Sequence, residues 1–147
     1  MVRIRSYQSQ DRDQVIGLIK AVSFEILKEK KSIEDLRDIG RVYLKKDGVF
    51  FVAEKNGRIV GTLAVYRKDL KTAKVRRFYV ASDCRGQGVG TKLLEKTLKF
   101  CKKRGYKKVF LSTYKEMEQA VSFYKKRGFK RKSTSEKLIF FEKSLSK

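Results

Sequence analysis

The residues Arg85-Gly86-Gln87-Gly88-Val89-Gly90, followed by Thr91, set three glycines on alternate positions behind an arginine. Residues of these types at this spacing can hold a phosphate. Glycine lets backbone amides close on a bulky anion. An apolar helical stripe begins at Val89, so the loop feeds a helix N-terminus, where unpaired N–H groups and about half a positive charge collect. Two other side chains could do chemistry. Tyr124 is a phenol that stays protonated at neutral pH, but it shares a helical stripe with Met117, Ala120 and Val121 and on position alone reads as core. Cys84 stands beside Arg85 with no base in its vicinity and reads as a loop filler. The chain has no histidine, which removes Cys-His and Ser-His-Asp nucleophilic sites and makes a zinc site an unattractive reading.

The loop needs a strand before it and a helix after it. Val75, Phe78 and Val80 are strand formers, and Ala81-Ser82-Asp83-Cys84 makes the turn. Val89, Leu93, Leu94, Leu98 and Cys101 then follow the helical period. Two familiar phosphate loops are excluded. A dinucleotide fingerprint wants a third glycine where Thr91 stands, and an acidic residue ~20 positions on, where the chain reads Lys107-Lys108-Val109-Phe110-Leu111. A P-loop wants Gly-Lys followed by Ser or Thr, and Lys92 is followed by Leu93. What remains is R-x-x-G-x-G at Arg85, Gly88 and Gly90.

With Phe78-Tyr79-Val80 ahead of it, this loop closely resembles the coenzyme A loop of the GNAT family of N-acetyltransferases. The resemblance continues through a strand at Lys108–Thr113 and a helix that ends Phe123-Tyr124-Lys125-Lys126-Arg127-Gly128-Phe129. It is clear from about Asn56 to Phe129. It implies that acetyl-CoA is held by the backbone of Arg85, Gly86, Gln87, Gly88, Val89, Gly90 and Thr91. It implies that Phe78, Tyr79 and Val80 pair with the pantetheine arm where their strand splays from its neighbour near a bulge. It also implies that Tyr124 donates to the leaving thiolate; the lack of histidine leaves no metal in the expected site. Two positions depart from the family pattern. Lysine and arginine occupy Ala73-Lys74-Val75-Arg76-Arg77, where relatives often carry a glutamate base, and Met117 replaces a common asparagine. Glu25, Glu34, Asp35, Asp38 and Glu54 are the other carboxylates from which a base could come, and water relay is the alternative. The basic central strand could instead meet a carboxylate or phosphate on the acceptor.

In chain order the pattern predicts a strand at Val2–Ser6 and a helix from about Asp11 to Lys28. A second helix opens at a capping box, Ser32-Ile33-Glu34-Asp35, and carries Leu36, Ile39, Val42 and Tyr43. A strand at Phe50–Glu54 turns at Asn56-Gly57 into Ile59–Tyr66, where Gly61 marks close packing or a bulge. After the central motif and Phe129, a turn at Ser133-Thr134-Ser135 precedes a last strand at Leu138–Phe141. The order is strand, helix, helix, three strands, helix, strand, helix, two strands. It predicts an α/β (α+β) three-layer fold with a mixed, mostly antiparallel central sheet and helices on both faces. The resemblance implies the acyl-CoA N-acyltransferase fold in a single domain over residues 1–147.

The 147 residues carry a formal charge of +22 from 38 Lys and Arg against 16 Asp and Glu, spread along the whole chain. Such a balance fits a nucleic-acid partner, an anionic membrane or an acidic substrate, and equally a lysine-biased proteome. Scatter favours the last reading; a positive surface would still speed capture of coenzyme A. No apolar run approaches a membrane span, the start lacks a signal-peptide core, and two unpaired cysteines read as reduced and cytoplasmic. The expected activity is acetyl-CoA-dependent acetylation of a primary amine on a small molecule or peptide, by a monomer or homodimer. The competing expectation is a non-catalytic acyl-CoA-binding or nucleic-acid-associated module on the same fold.

Overall fold

The computed structural model describes residues 1–27, 34–45 and 47–145. The chain runs β1 (Arg3–Ser6), α1 (Arg12–Leu27), α2 (Ile39–Tyr43), β2 (Val49–Lys55), β3 (Arg58–Asp69), β4 (Thr72–Val80), α3 (Val89–Lys103), β5 (Lys108–Tyr114), α4 (Glu118–Lys126), β6 (Lys130–Thr134) and β7 (Leu138–Ser144). These strands form one sheet in the order β1-β2-β3-β4-β5-β7-β6. Of the neighbouring pairs only β4 and β5 run parallel. The mixed, mostly antiparallel sheet with helices on both faces is the architecture that the sequence predicts.

Two cores explain the composition of the central strands. Successive strand residues face opposite sides. Phe51 and Ala53 pack with Leu93, Leu94 and Cys101 of α3. Phe50 and Val52 pack with Val15 and Ile19 of α1 and with Leu36 and Tyr43. A strand covered on both faces has no polar side, so Val49–Ala53 is apolar at every position.

The turns follow their residues. Asn56 and Gly57 have φ of 53° and 79°, the paired positive values that a two-residue hairpin of this hand requires. Gly61 meets both expectations. The register with β2 shifts beside it. A Cβ at Gly61 would also lie 2.9 Å from Leu93 Cδ1, 3.1 Å from Val89 Cγ1 and 3.2 Å from the Tyr79 carbonyl.

Two expectations need correcting. The predicted second helix begins at Ser32 and Ile33, which lie outside the described residues. From Glu34 on it is a 3-10 turn, Glu34–Leu36, and then the short α2. The cap of α2 is Asp38, whose carboxylate accepts from the Arg41 amide at 3.0 Å. Asp35 does not cap because its side chain turns inward to Tyr43 and Arg77. The second correction concerns Ser133 and Thr134, which are strand and not turn. β6 is exposed at every residue, so it carries no apolar alternation to betray it. The reversal begins at Ser135, whose hydroxyl accepts from the Leu138 amide at 3.1 Å.

One irregularity positions everything that follows. β4 pairs with β5 only from Thr72 to Lys74, opposite Lys108 to Phe110. Beyond that point β4 stays with β3, while β5 stays with β7 as far as Tyr114. The sheet therefore opens between the two parallel strands. On the β3 side the register slips, with Thr62 opposite Tyr79 but Ala64 opposite Arg76. Arg77 takes up the extra residue at φ 55°, and its carbonyl accepts from Thr62 Oγ1 at 2.8 Å.

Candidate active site

The loop after β4 reaches α3 through left-handed glycines, Gly86 at φ 76° and Gly88 at φ 84°. Gly88 is the N-cap of α3, and no side chain caps the helix there. Arg85 N–H is taken by the Ser82 carbonyl, and Lys92 N–H by that of Gly88. Among the described residues no protein group accepts from the amides of Gly86 to Thr91. The helix end thus offers a run of unused donors, the arrangement that holds an anion. Val89 itself faces inward and is 1% exposed, so only its backbone can serve a ligand.

Neighbouring elements fix this loop. Arg58 at the start of β3 donates to both Asp83 carboxylate oxygens, at 2.9 and 3.1 Å, which neutralises the acid closest to the loop. Across the helix end, Arg127 donates to Thr91 Oγ1 at 2.7 Å and to the Phe123 carbonyl at 3.1 Å. Its guanidinium lies 3.6 Å from the centre of the Phe123 ring. Sequence reading missed Arg127. Its signal was its place between Tyr124 and Gly128-Phe129, where it ties the end of α4 to the start of α3 and adds a cation beside the open amides.

Two clefts meet at the opening in the sheet. The first, of about 500 Å³, is lined by Phe78, Tyr79 and Val80 of β4, by Arg85 and Gly90 of the loop, and by the start of α4. The second, of about 320 Å³, is lined by Lys74 to Tyr79 on one side and Leu111 to Tyr114 on the other. Phe78, Tyr79, Met117, Ala120 and Tyr124 line both. These residues are where one ligand could touch another across the strand gap.

Tyr124 is 8% exposed and ringed by Phe78, Phe123, Phe129 and Phe141, with ring centres 5.6–6.2 Å away. Its hydroxyl has no hydrogen-bond partner among the described residues. Burial pushes its pKa well above the ordinary phenol value, and nearby Tyr79 adds to this. The group is therefore a donor at any physiological pH. Cys84 is buried at 4% exposure, in keeping with a packing role. Burial pushes the Cys101 thiol up to about 12.

Among the described residues, the carboxylates named as possible bases, Glu34, Asp35, Asp38 and Glu54, do not line either cleft. Asp35 accepts from Arg77 at 2.5 and 3.0 Å and from the Tyr43 hydroxyl. Burial alone would raise its pKa; the hydrogen bonds from Arg77 and Tyr43 hold it below the usual carboxylate range. Glu54 is engaged by Arg5 at 2.7 Å and Arg3 at 3.3 Å. Asp38 caps α2, and Glu34 pairs with Arg37 on the surface. The side chain of Glu25 lies outside the described residues. The acids that do line the first cleft, Glu116 and Glu118, were not singled out from the sequence. Of the basic strand, Arg77 is committed to Asp35 and so is not available to an acceptor anion.

Comparison with known proteins agrees with this fold. The chain is 40% identical over 85 residues to the "Probable N-acetyltransferase camello" of Xenopus laevis, which covers 54% of this chain and 38% of that one. It is 37% identical over 84 residues to "N-acetyltransferase family 8 member 2" of Rattus norvegicus, with 54% and 37% covered. The chain thus spans well under half the length of these relatives. Among solved structures, a GNAT-family acetyltransferase of Staphylococcus aureus superposes with a TM-score of 0.91 at 24% identity, covering 99% of this chain and 100% of that one. The PaiA N-acetyltransferase of Thermoplasma acidophilum, solved in complex with coenzyme A, superposes with a TM-score of 0.83 at 21% identity, with 98% and 99% covered. No helix among the described residues is long and apolar enough to cross a membrane. The model of the acetyltransferase (GNAT) family matches residues 12–129, most of the sequence, and the chain belongs to that family.

Proposed function

We propose that this protein transfers an acetyl group from acetyl-CoA to a primary amine of a small molecule or protein, by direct attack within a ternary complex. The observation that carries the reading is Tyr124, whose unpartnered hydroxyl sits where the two clefts join. The amides of Gly86 to Thr91 would hold the diphosphate, helped by the positive end of α3. The open edge of β4 from Phe78 to Val80 offers backbone groups to an extended arm, since no strand uses that edge. Acetyl-CoA supplies an activated thioester carbonyl. Tyr124 then donates a hydrogen bond to charge that grows on the departing sulfur. A free thiol of pKa near 8.5 lies below a phenol, so donation precedes any full proton transfer. With Cys84 buried, no acyl-enzyme step is invoked.

The test is release of free thiol from acetyl-CoA across panels of amino acids, polyamines, aminoglycosides and peptides. Acetyl-CoA should also raise the melting temperature by linkage. A ligand-induced rise with no turnover on any panel would favour the non-catalytic acyl-CoA-binding reading. Absence of both would remove acyl-CoA from the account.

A further inference from the structure

We infer that the acceptor is an amine that carries its own carboxylate. This rests on the reading above and gives the first cleft, which holds Arg85 and Gly90 of the loop, to the cofactor and the second to the acceptor. The cleft has a marked charge asymmetry. Lys74, Arg76 and Arg77 line it from β4, and among the described residues no aspartate or glutamate lines it. Arg77 is neutralised by Asp35. Arg76 has no carboxylate within ion-pair distance among the described residues, and Lys74 meets only the Phe110 ring, at 5.8 Å. The overall charge of the chain does not account for this contrast, because the first cleft is lined by Arg85 together with Glu116 and Glu118.

Strand alternation would send Arg76 and Arg77 to opposite faces. The bulge at Arg77, with its positive φ, interrupts that alternation, and each residue from Lys74 to Tyr79 contributes to the cleft wall. Asp35 pairs with Arg77 and feels Arg76 only as a charge beyond ion-pair distance, so among the described residues no carboxylate is paired with the Arg76 guanidinium.

Two consequences follow for an acceptor. A purely cationic amine is repelled, and a positive surrounding lowers the pKa of any ammonium that enters. That favours the neutral, nucleophilic amine without a carboxylate base, and among the described residues none lines this cleft. A carboxylate on the acceptor would meet Arg76, whose planar fork suits bidentate contact, with Lys74 as a second charge. The matching substrate class is the α-amino acid, with a free amine and a free carboxylate. Polyamines are the opposite class.

The experiment compares kcat/KM, by thiol release from acetyl-CoA, for matched acceptors: an α-amino acid, its decarboxylated amine, its aminophosphonate analogue and spermidine. The amino acid should lead the decarboxylated amine and spermidine by roughly tenfold or more, the factor expected for one charge-assisted contact. In Arg76→Ala that ratio should collapse towards one, while Arg76→Lys should keep part of it. The acetyl-CoA-induced rise in melting temperature, measured on each variant, reports whether the fold and the first cleft survive. Turnover without a preference for the carboxylate, a lead for spermidine, or a lead for the phosphonate overturns the inference and leaves acetyl transfer standing. An intact preference in Arg76→Ala overturns it too. No turnover of any acceptor overturns both readings.

Discussion

Replacing Tyr124 by phenylalanine removes a single oxygen and little else. The ring stays among Phe78, Phe123, Phe129 and Phe141. The hydroxyl has no protein partner among the described residues, so its loss orphans nothing, and stability should move by no more than about 0.5 kcal/mol. For a chain of this size that is a shift of ~2 °C or less. Catalysis should change far more. A hydrogen bond to a charged group is worth ~1.5–3 kcal/mol, and loss of a donor aimed at developing charge costs ~10²–10³ in rate. The expected result is a fall in kcat of between ~10-fold and ~10³-fold, with acetyl-CoA affinity by calorimetry unchanged. Because burial raises the Tyr124 pKa, the phenol stays protonated above the ordinary value of ~10. Wild-type kcat should therefore show no falling limb from this group between pH 7 and 9. The reasoning is refuted by a Tyr124→Phe enzyme with full kcat, or by one that has lost acetyl-CoA binding along with activity.

Gly61→Ala puts a methyl 2.9 Å from Leu93 and 3.1 Å from Val89, which should push the start of α3 off the sheet; overpacking of this kind costs ~1–3 kcal/mol, and acetyl-CoA titration should show weaker binding alongside a lower melting temperature. Asp35→Ala removes the carboxylate that faces Arg77, whose side chain is 3% exposed; breaking a buried pair costs ~3–5 kcal/mol, so the melting temperature should drop by roughly 10 °C, and an unchanged value would show that the pair is dispensable. Asp11, held low by the Arg5 hydrogen bond despite burial, and Asp35, held low by Arg77 and Tyr43, bind protons less readily folded than unfolded. Their contribution is present above the ordinary carboxylate pKa of ~3.9 and is lost as pH falls below it, so melting temperature should decline from pH 5 to pH 2, and less steeply in Asp11→Asn. Gly48→Ala places a Cβ 2.3 Å from the Tyr43 carbonyl oxygen and 2.8 Å from that of Val65, both backbone, so soluble yield should collapse.

Much of this molecule is legible in its sequence because local rules act there without competition. Val49–Ala53 is apolar throughout because it is covered twice, Asn56-Gly57 turns because both residues accept positive φ, and R-x-x-G-x-G sits between a strand and a helix as its chemistry demands. What stayed hidden depends on partners far apart in the chain. Asp35 and Arg77 are 42 residues apart, so their pairing has no local trace, and Asp35 looked like a helix cap. The left-handed backbone of Arg77 is unusual for a non-glycine residue, and nothing in Val75-Arg76-Arg77-Phe78 announces it. The far end of β6, Ser133 and Thr134, read as a turn because the strand buries no side chain that would mark its length. Arg127 looked like one more cation among many, and only the fold brings it to Thr91.

The parting of β4 from β5 has a cost that proteins ordinarily avoid. Bare strand edges recruit other chains and seed aggregates, and this sheet carries such edges in its interior. Here the gap is lined by Met117, Ala120 and Tyr124. A visiting β-strand, with side chains on both faces, would have to displace these side chains, whereas a slender unbranched thread would not. The same geometry that leaves the peptide groups hungry thus acts as a sieve on what can feed them.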